Sequence, residues 1–231
     1  MTKYIRTLSV IYDLPIAHSE IPLFRGAVLK TLEGKADLLF HNHTGENSFR
    51  YAYPLIQYKR LGGKAAIVCV DKAVDIIGQF LTKFSGELTI GEKKVNATVS
   101  QIIPNRLLVQ TWQTMFQYHI TNWLALNTKN YLLYQKTTND VERRLLLEGI
   151  LKGNLLSMLK GLDIHLETEL QLEIIRLSIP HVLYNKGVGF TTFNADFQCN
   201  LSIPRNVGIG KNASIGYGKI GIVNKKEAHQ Q

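Results

Sequence analysis

Cysteine is scarce in this chain. Cys69 and Cys199 are the only two in 231 residues, and no Cys-x-x-Cys spacing exists. Both sit in apolar or strand-like runs, so they read as buried thiols in a reducing compartment. Long hydrophobic runs are missing too. The opening MTKYIRTLSVIYDLP alternates polar with apolar residues instead of forming the apolar block of a signal peptide, and no later stretch approaches membrane-spanning length. The expectation is a soluble, cytoplasmic protein. Acid is also in deficit, with 18 Asp plus Glu against 27 Lys plus Arg, a formal net charge of +9. That surplus favours a polyanionic partner, because each neutralised phosphate releases condensed counterions. On charge alone the polyanion is RNA, DNA or an anionic membrane. Hydrophobic residues make up 45% of the chain, enough for a real core.

The patterning of that apolar material gives the element order. In residues 5–12, Leu8, Val10 and Tyr12 alternate with Thr7 and Ser9, a half-buried strand. IPLFRGAVLKTLE then places Phe24, Ala27, Val28 and Leu32 on one helical face, with Pro22 suited to its start and Gly34 to its end. YPLIQYKRL and KAAIVCV read as two strands joined at Gly62-Gly63. DKAVDIIGQFLTKF reads as a second helix with Ala73, Ile77, Phe80, Leu81 and Phe84 inward, and ELTIGEKKV follows as the closing strand segment with a turn at Gly91-Glu92. Strand, helix, strand, strand, helix, strand is the ferredoxin-like order. The second half repeats it less regularly. RLLVQTWQTMFQYHI puts Trp112, Phe116, Tyr118 and Ile120 on one face and Thr111, Gln113, Gln117 and His119 on the other. Helices are expected over 122–135 and 140–160, and strands over 166–177, 181–185 and 188–199. The fold class is therefore α+β, two tandem ferredoxin-like domains with antiparallel sheets and helices on one face. The domains are expected at 1–105 and 106–223, with a polar tail at 224–231.

The segment Gly208-Ile209-Gly210-Lys211-Asn212-Ala213-Ser214-Ile215-Gly216-Tyr217-Gly218 sets two Gly-apolar-Gly units around five residues that include a lysine. Glycines let a backbone approach a ligand closely, and exposed amides with a cation can cradle a phosphate. A dinucleotide-binding loop would need a following helix and a ribose-binding acid, whereas the thirteen residues after Gly218 in this sequence end in a polar tail. A glycine-rich hairpin without a ligand is the bland alternative. The segment resembles the C-terminal glycine-rich loop of CRISPR repeat-processing endoribonucleases, the sixth family of CRISPR-associated proteins within the RAMP superfamily. EIPLFRGAV, LLFHNH, YPLIQYKR and NWLALN resemble a bacterial branch of that family, so the likeness covers nearly the whole chain.

The resemblance implies cleavage of CRISPR precursor transcripts within their repeats to release guide RNAs. The 2′-hydroxyl attacks the adjacent phosphate, leaving a 2′,3′-cyclic phosphate and a 5′-hydroxyl, with no metal or other cofactor needed. Histidine suits the proton steps and a lysine or arginine suits the phosphorane charge. Family members commonly place a catalytic histidine after the first helix, where this sequence has His41 and His43. His43, nearer the Gly45 turn, is the first choice and His41 its partner or support. Arg50 and Lys59 are candidate charge stabilisers, and Tyr51 or Tyr53 could orient a hydroxyl. The letters His-Asn-His at 41–43 are not the metal-dependent nuclease motif of that name, and no carboxylate or cysteine cluster completes a metal site beside them. RNA contacts are expected from Gly208, Gly210, Lys211, Gly216 and Gly218, from Arg205 and Arg25, and from Arg60 and Lys64 around the hairpin. Tyr217 is either a base-stacking residue or a core anchor. The expected partner is CRISPR repeat RNA, with other Cas subunits and a second copy of the chain as further candidates and no membrane. The runner-up function is a non-catalytic RAMP subunit that holds guide RNA in an interference complex.

Overall fold

A computed structural model describes residues 3–32, 53–185 and 187–223. The chain divides into two compact units. One is formed by Tyr4–Leu107 with Asn212–Gly216, the other by Leu108–Lys211 with Lys3 and the described residues from Tyr217 onward.

The first unit carries β1 (Lys3–Pro15), α1 (Ile21–Thr31), β2 (Ile56–Leu61), β3 (Lys64–Val70), the short helical turns α2 (Ala73–Ile76) and α3 (Gly78–Leu81), β4 (Glu87–Ile90), β5 (Lys93–Asn96) and β6 (Val99–Val109). Its sheet runs β2-β3-β1-β6. Read from the other edge, that is the fourth, first, third and second strands of a ferredoxin-like fold. Gly62 and Gly63 take φ of +56° and +84°, which lets the chain turn tightly between β2 and β3. Helix α1 buries Ile21, Phe24, Ala27 and Val28, the stripe that its apolar spacing predicts. Tyr12 sits at the centre of this core, its ring edge-on to Phe24 at 5.7 Å and to Phe84 at 5.5 Å. Burial pushes the hydroxyls of Tyr12 and Tyr58 well above the ordinary tyrosine range and the Cys69 thiol up to about 12. A thiol so shifted holds almost no thiolate at neutral pH and is packing material.

Two expectations change here. ELTIGEKKV forms a separate two-stranded hairpin, β4 with β5, and the sheet's fourth strand is β6. Pro104 lies inside β6, which stands at the sheet edge, the part of a sheet where proline is tolerated. On β1, Thr7 and Ser9 are buried along with Val10 and Tyr12. The sheet's second face also holds a small apolar cluster of Leu61, Ala66 and Val68, with Ile11 against it.

The second unit carries β7 (Thr111–Trp123), α4 (Thr128–Lys136), α5 (Asp140–Gly161), β8 (Leu172–Leu177), β9 (His181–Asn185), β10 (Val188–Leu201) and β11 (Lys219–Ile222). Its main sheet runs β11-β7-β10-β8, again the order four, one, three, two, and β9 pairs with β10. Side-chain oxygens of Asn127 and Asn139 accept from Asn130 N and Val141 N, capping α4 and α5. Strand β7 runs on to Trp123, so α4 starts later than its apolar spacing alone predicts. Helix α5 buries Leu147, Leu151, Leu155, Met158 and Leu159, and the sheet's inner face answers with Ile120, Ile174, Phe193 and Phe197. A helix between β10 and β11 would complete the usual pattern. The glycine-rich segment runs there instead.

Candidate nucleic-acid interface

The glycine-rich segment is tied down at nearly every residue. In the second unit Gly208 forms an antiparallel bridge with Lys219, and Ile209 N donates to Gly218 O at 2.9 Å. Gly218 N in turn donates to Asn122 O at 3.2 Å. Gly218 has φ +60°, and a Cβ there would overlap the Ile209 carbonyl oxygen, so only glycine fits. Gly210 approaches Asn154, whose Oδ1 accepts from Trp123 Nε1 at 2.9 Å.

Residues Asn212–Gly216 belong to the first unit and add to its sheet. Tyr58 N donates to Ser214 O at 2.7 Å and Tyr58 forms a parallel bridge with Ile215. Beneath them lies Lys59, fully buried, whose Nζ donates to Ala213 O at 2.6 Å. An amine removed from water must keep strong acceptors, and the carbonyl of this segment supplies one. Gly216 packs so closely on Ile21 and His18 that a Cβ would overlap the Ile21 side chain. These glycines are demanded by packing.

The exposed cation of the segment is Lys211, with its Nζ 5.7 Å from the centre of the Phe190 ring. The edge of Tyr217 meets the same ring at 6.4 Å, and Tyr217 is only 1% exposed. Its ring is enclosed and has no face to offer a base, so the core-anchor alternative describes it. Burial also raises its hydroxyl above the ordinary range. Arg205 is exposed and Arg25 half-buried near enough to Tyr58 to act on its titration. Arg60 donates to Ile16 O at 2.7 Å and Lys64 pairs with Asp13 at 2.7 Å, so both have structural partners. Tyr53 accepts from Gln57 Nε2 at 3.0 Å. His41, His43, Arg50 and Tyr51 lie outside the described residues. Among the described residues, no group of three or more His, Cys, Asp or Glu is placed to hold a metal ion. Nor is any described helix long and apolar enough to cross a membrane.

Comparison with known proteins places this geometry. An uncharacterized protein of Methanocaldococcus jannaschii is 40% identical over 109 residues, 47% of this chain and 73% of that protein. A crystal structure of Cas6b matches with a TM-score of 0.84 at 26% identity, covering 96% of this chain and 100% of the other. A second, of the CRISPR RNA processing endoribonuclease Cas6b, matches at 0.73 and 22% identity over 96% and 100%. The Cas6b N-terminal domain profile matches residues 3–107 and the Cas6b C-terminal domain profile residues 110–223. With both halves matched in order, the chain belongs to the Cas6b family.

Proposed function

We propose that this protein is a CRISPR RNA-processing endoribonuclease that acts in the cytoplasm, cutting precursor transcripts within their repeats to yield guide RNAs. The observation that carries the reading is that Cas6b domain profiles match the two halves of the chain over 3–107 and 110–223. Cleavage proceeds by attack of the 2′-hydroxyl on the adjacent phosphate and leaves a 2′,3′-cyclic phosphate and a 5′-hydroxyl. The nucleophile belongs to the substrate, so the protein aligns it, moves protons and offsets charge, all of which its side chains can do without a metal. His43 is the proton-transfer group, with His41 beside it, and Arg50 stabilises the phosphorane. Lys59, enclosed and bonded to Ala213 O, serves by holding residues 212–216 in place. Cleavage of host repeat RNA should continue in excess EDTA and stop when deoxyribose replaces the attacking ribose. Loss of activity on chelation with rescue by Mg²⁺ or Mn²⁺ would overturn the mechanism. Binding of repeat RNA with no cleavage would make the chain a RAMP-type binding subunit.

Lys211 is the residue of the glycine-rich segment placed to meet a phosphate. Lys211→Ala should weaken binding and lower the salt slope by about 0.7, one phosphate contact on a single strand. Affinity measured across a salt series checks this, and an unchanged slope assigns the segment to structure alone.

A further inference from the structure

The outward face of the sheet in the second unit carries a row of chemistry that neither the glycine-rich segment nor the 41–43 pair uses. His119 on β7 is the register partner of Asp196 on β10, and Asp196 is the partner of Arg176 on β8. His119 Nδ1 lies 2.5 Å from Asp196 Oδ1. Arg176 donates from Nε to Asp196 Oδ2 at 2.7 Å, with a second guanidinium nitrogen at 2.6 Å. The carboxylate is 14% exposed, while the imidazole and guanidinium are 42% and 71% exposed. A shielded acid thus orients two accessible groups. Because a carboxylate accepts and does not donate, it favours a proton on Nδ1, which in the neutral imidazole leaves Nε2 as an acceptor for a ligand.

The surroundings give this row a shape. On the other side of His119 its register partner is Gly221 on β11, so bare backbone forms the floor there. A Cβ at Gly221 would meet nothing closer than His119 O at 3.9 Å. The next row along the strands is Gln117, Gln198 and Glu173, with Gln198 Nε2 donating to Glu173 Oε2 at 2.8 Å. Beside it lies a groove of about 300 Å³, lined by Met115, Phe116, Gln117, Tyr118, Gln198 and Ile222 among others. Glu173 and Lys219, the latter the register partner of Thr121, are further charged groups on this face. Planar hydrogen-bonding side chains over a flat floor, with an apolar rim, suit the edge of a nucleobase. His119 and Arg176 stand two strands apart, roughly 10 Å at ~4.8 Å per strand, a spacing that lets one nucleotide meet both through its base and its phosphate.

We propose that this face binds single-stranded RNA, with a base edge hydrogen-bonded to His119 Nε2 and a phosphate on Arg176, while Asp196 positions both. The proposal rests on the RNA-processing reading and extends it to residues other than those assigned to cleavage. Arg176 and Asp196 offset each other in charge, so the contact reads a base more than it adds general attraction.

The test uses the full chain and fluorescein-labelled single-stranded repeat RNA. His119→Ala should weaken binding about 3–10-fold, the worth of one or two hydrogen bonds. It should raise KM by a similar factor with kcat unchanged, because the contact is equal in ground and transition states. Arg176→Ala should weaken binding about as much and lower the salt slope by less than the ~0.7 of a full phosphate contact, because Asp196 offsets part of its charge. In ¹⁵N-histidine spectra His119 should carry its proton on Nδ1, and saturating RNA should shift its Nε2 resonance. Asp196→Ala should lose that tautomer, and Asp196→Glu should recover it in part. Melting curves show that the variants are folded. Wild-type affinity in both His119→Ala and Arg176→Ala, with an unmoved Nε2 resonance, overturns the site while leaving the enzyme reading intact. An effect of Arg176→Ala alone overturns base reading. A wild-type protein that binds no repeat RNA overturns both this site and the proposed function.

Discussion

His43→Ala is expected to cut repeat RNA about 10²–10⁴-fold more slowly than the wild type, the usual worth of general acid–base help. Affinity for the same RNA should stay nearly intact. Binding of a polyanion is distributed over many phosphate contacts, and a neutral imidazole adds little to that sum. On the supporting role proposed for it, His41→Ala should lower the rate less, and the double variant should match His43→Ala alone. Residues that act as one unit are non-additive in this way. Single-turnover cleavage and equilibrium binding on the same preparations separate the two effects. Wild-type rates in both single variants would move the catalytic group elsewhere. A His43→Ala protein that binds poorly and melts early would make the residue structural.

Gly218→Ala should destabilise the protein by about 3 kcal/mol, because it combines a left-handed backbone with overlap of a neighbouring carbonyl. The observed φ is +60°, and the atom that would be struck is the Ile209 backbone oxygen, which cannot rotate away as a side chain can. For a chain of this size that corresponds to a melting point lower by roughly 6–12 °C. Gly149→Ala is the matched opposite. Gly149 lies in α5, where a Cβ would meet nothing within 4 Å, so alanine should raise stability by about 0.5–1 kcal/mol through helix propensity. Thermal or guanidinium unfolding followed by circular dichroism reads both. A Gly218→Ala protein as stable as the wild type would mean that the segment closes in some other way.

Much of the fold is legible in local periodicity. The stripe of α1 and the Gly62-Gly63 hairpin are near-neighbour patterns that appear where their residues lead one to expect. The alternation over 106–120 holds at the buried Tyr118 and Ile120 but not at Trp112, which is 42% exposed, and its first residues belong to β6. What periodicity does not carry is the partner. ELTIGEKKV reads as a strand segment and is strand, yet it pairs with itself, because the sheet edge is taken by β6. Pro104 makes β6 look like a boundary, and only its edge position explains why the strand tolerates it. The site residues divide in the same way. The exposure of Lys211 follows from loop chemistry, but Lys59 looks like any cation on a strand until its acceptor, 154 residues away, is seen. His119 reads as an outward-facing residue of β7. Its link to Asp196, 77 residues on, depends on the register between two strands, which no local pattern encodes.

The insertion of Asn212–Gly216 into the N-terminal sheet has a consequence for the order in which the protein is made. During synthesis β1, α1, β2 and β3 emerge early and contain most of the core they need. Yet Tyr58 N and the buried Lys59 amine obtain the acceptors Ser214 O and Ala213 O only after residue 216 has left the ribosome. Until then Tyr58 N waits for its acceptor at the sheet edge, and the early unit is short of its final state. Residues 4–107 therefore do not by themselves supply every hydrogen-bond partner of their sheet. The N-terminal sheet is completed by a segment whose Ala213 lies 154 positions beyond the Lys59 it binds.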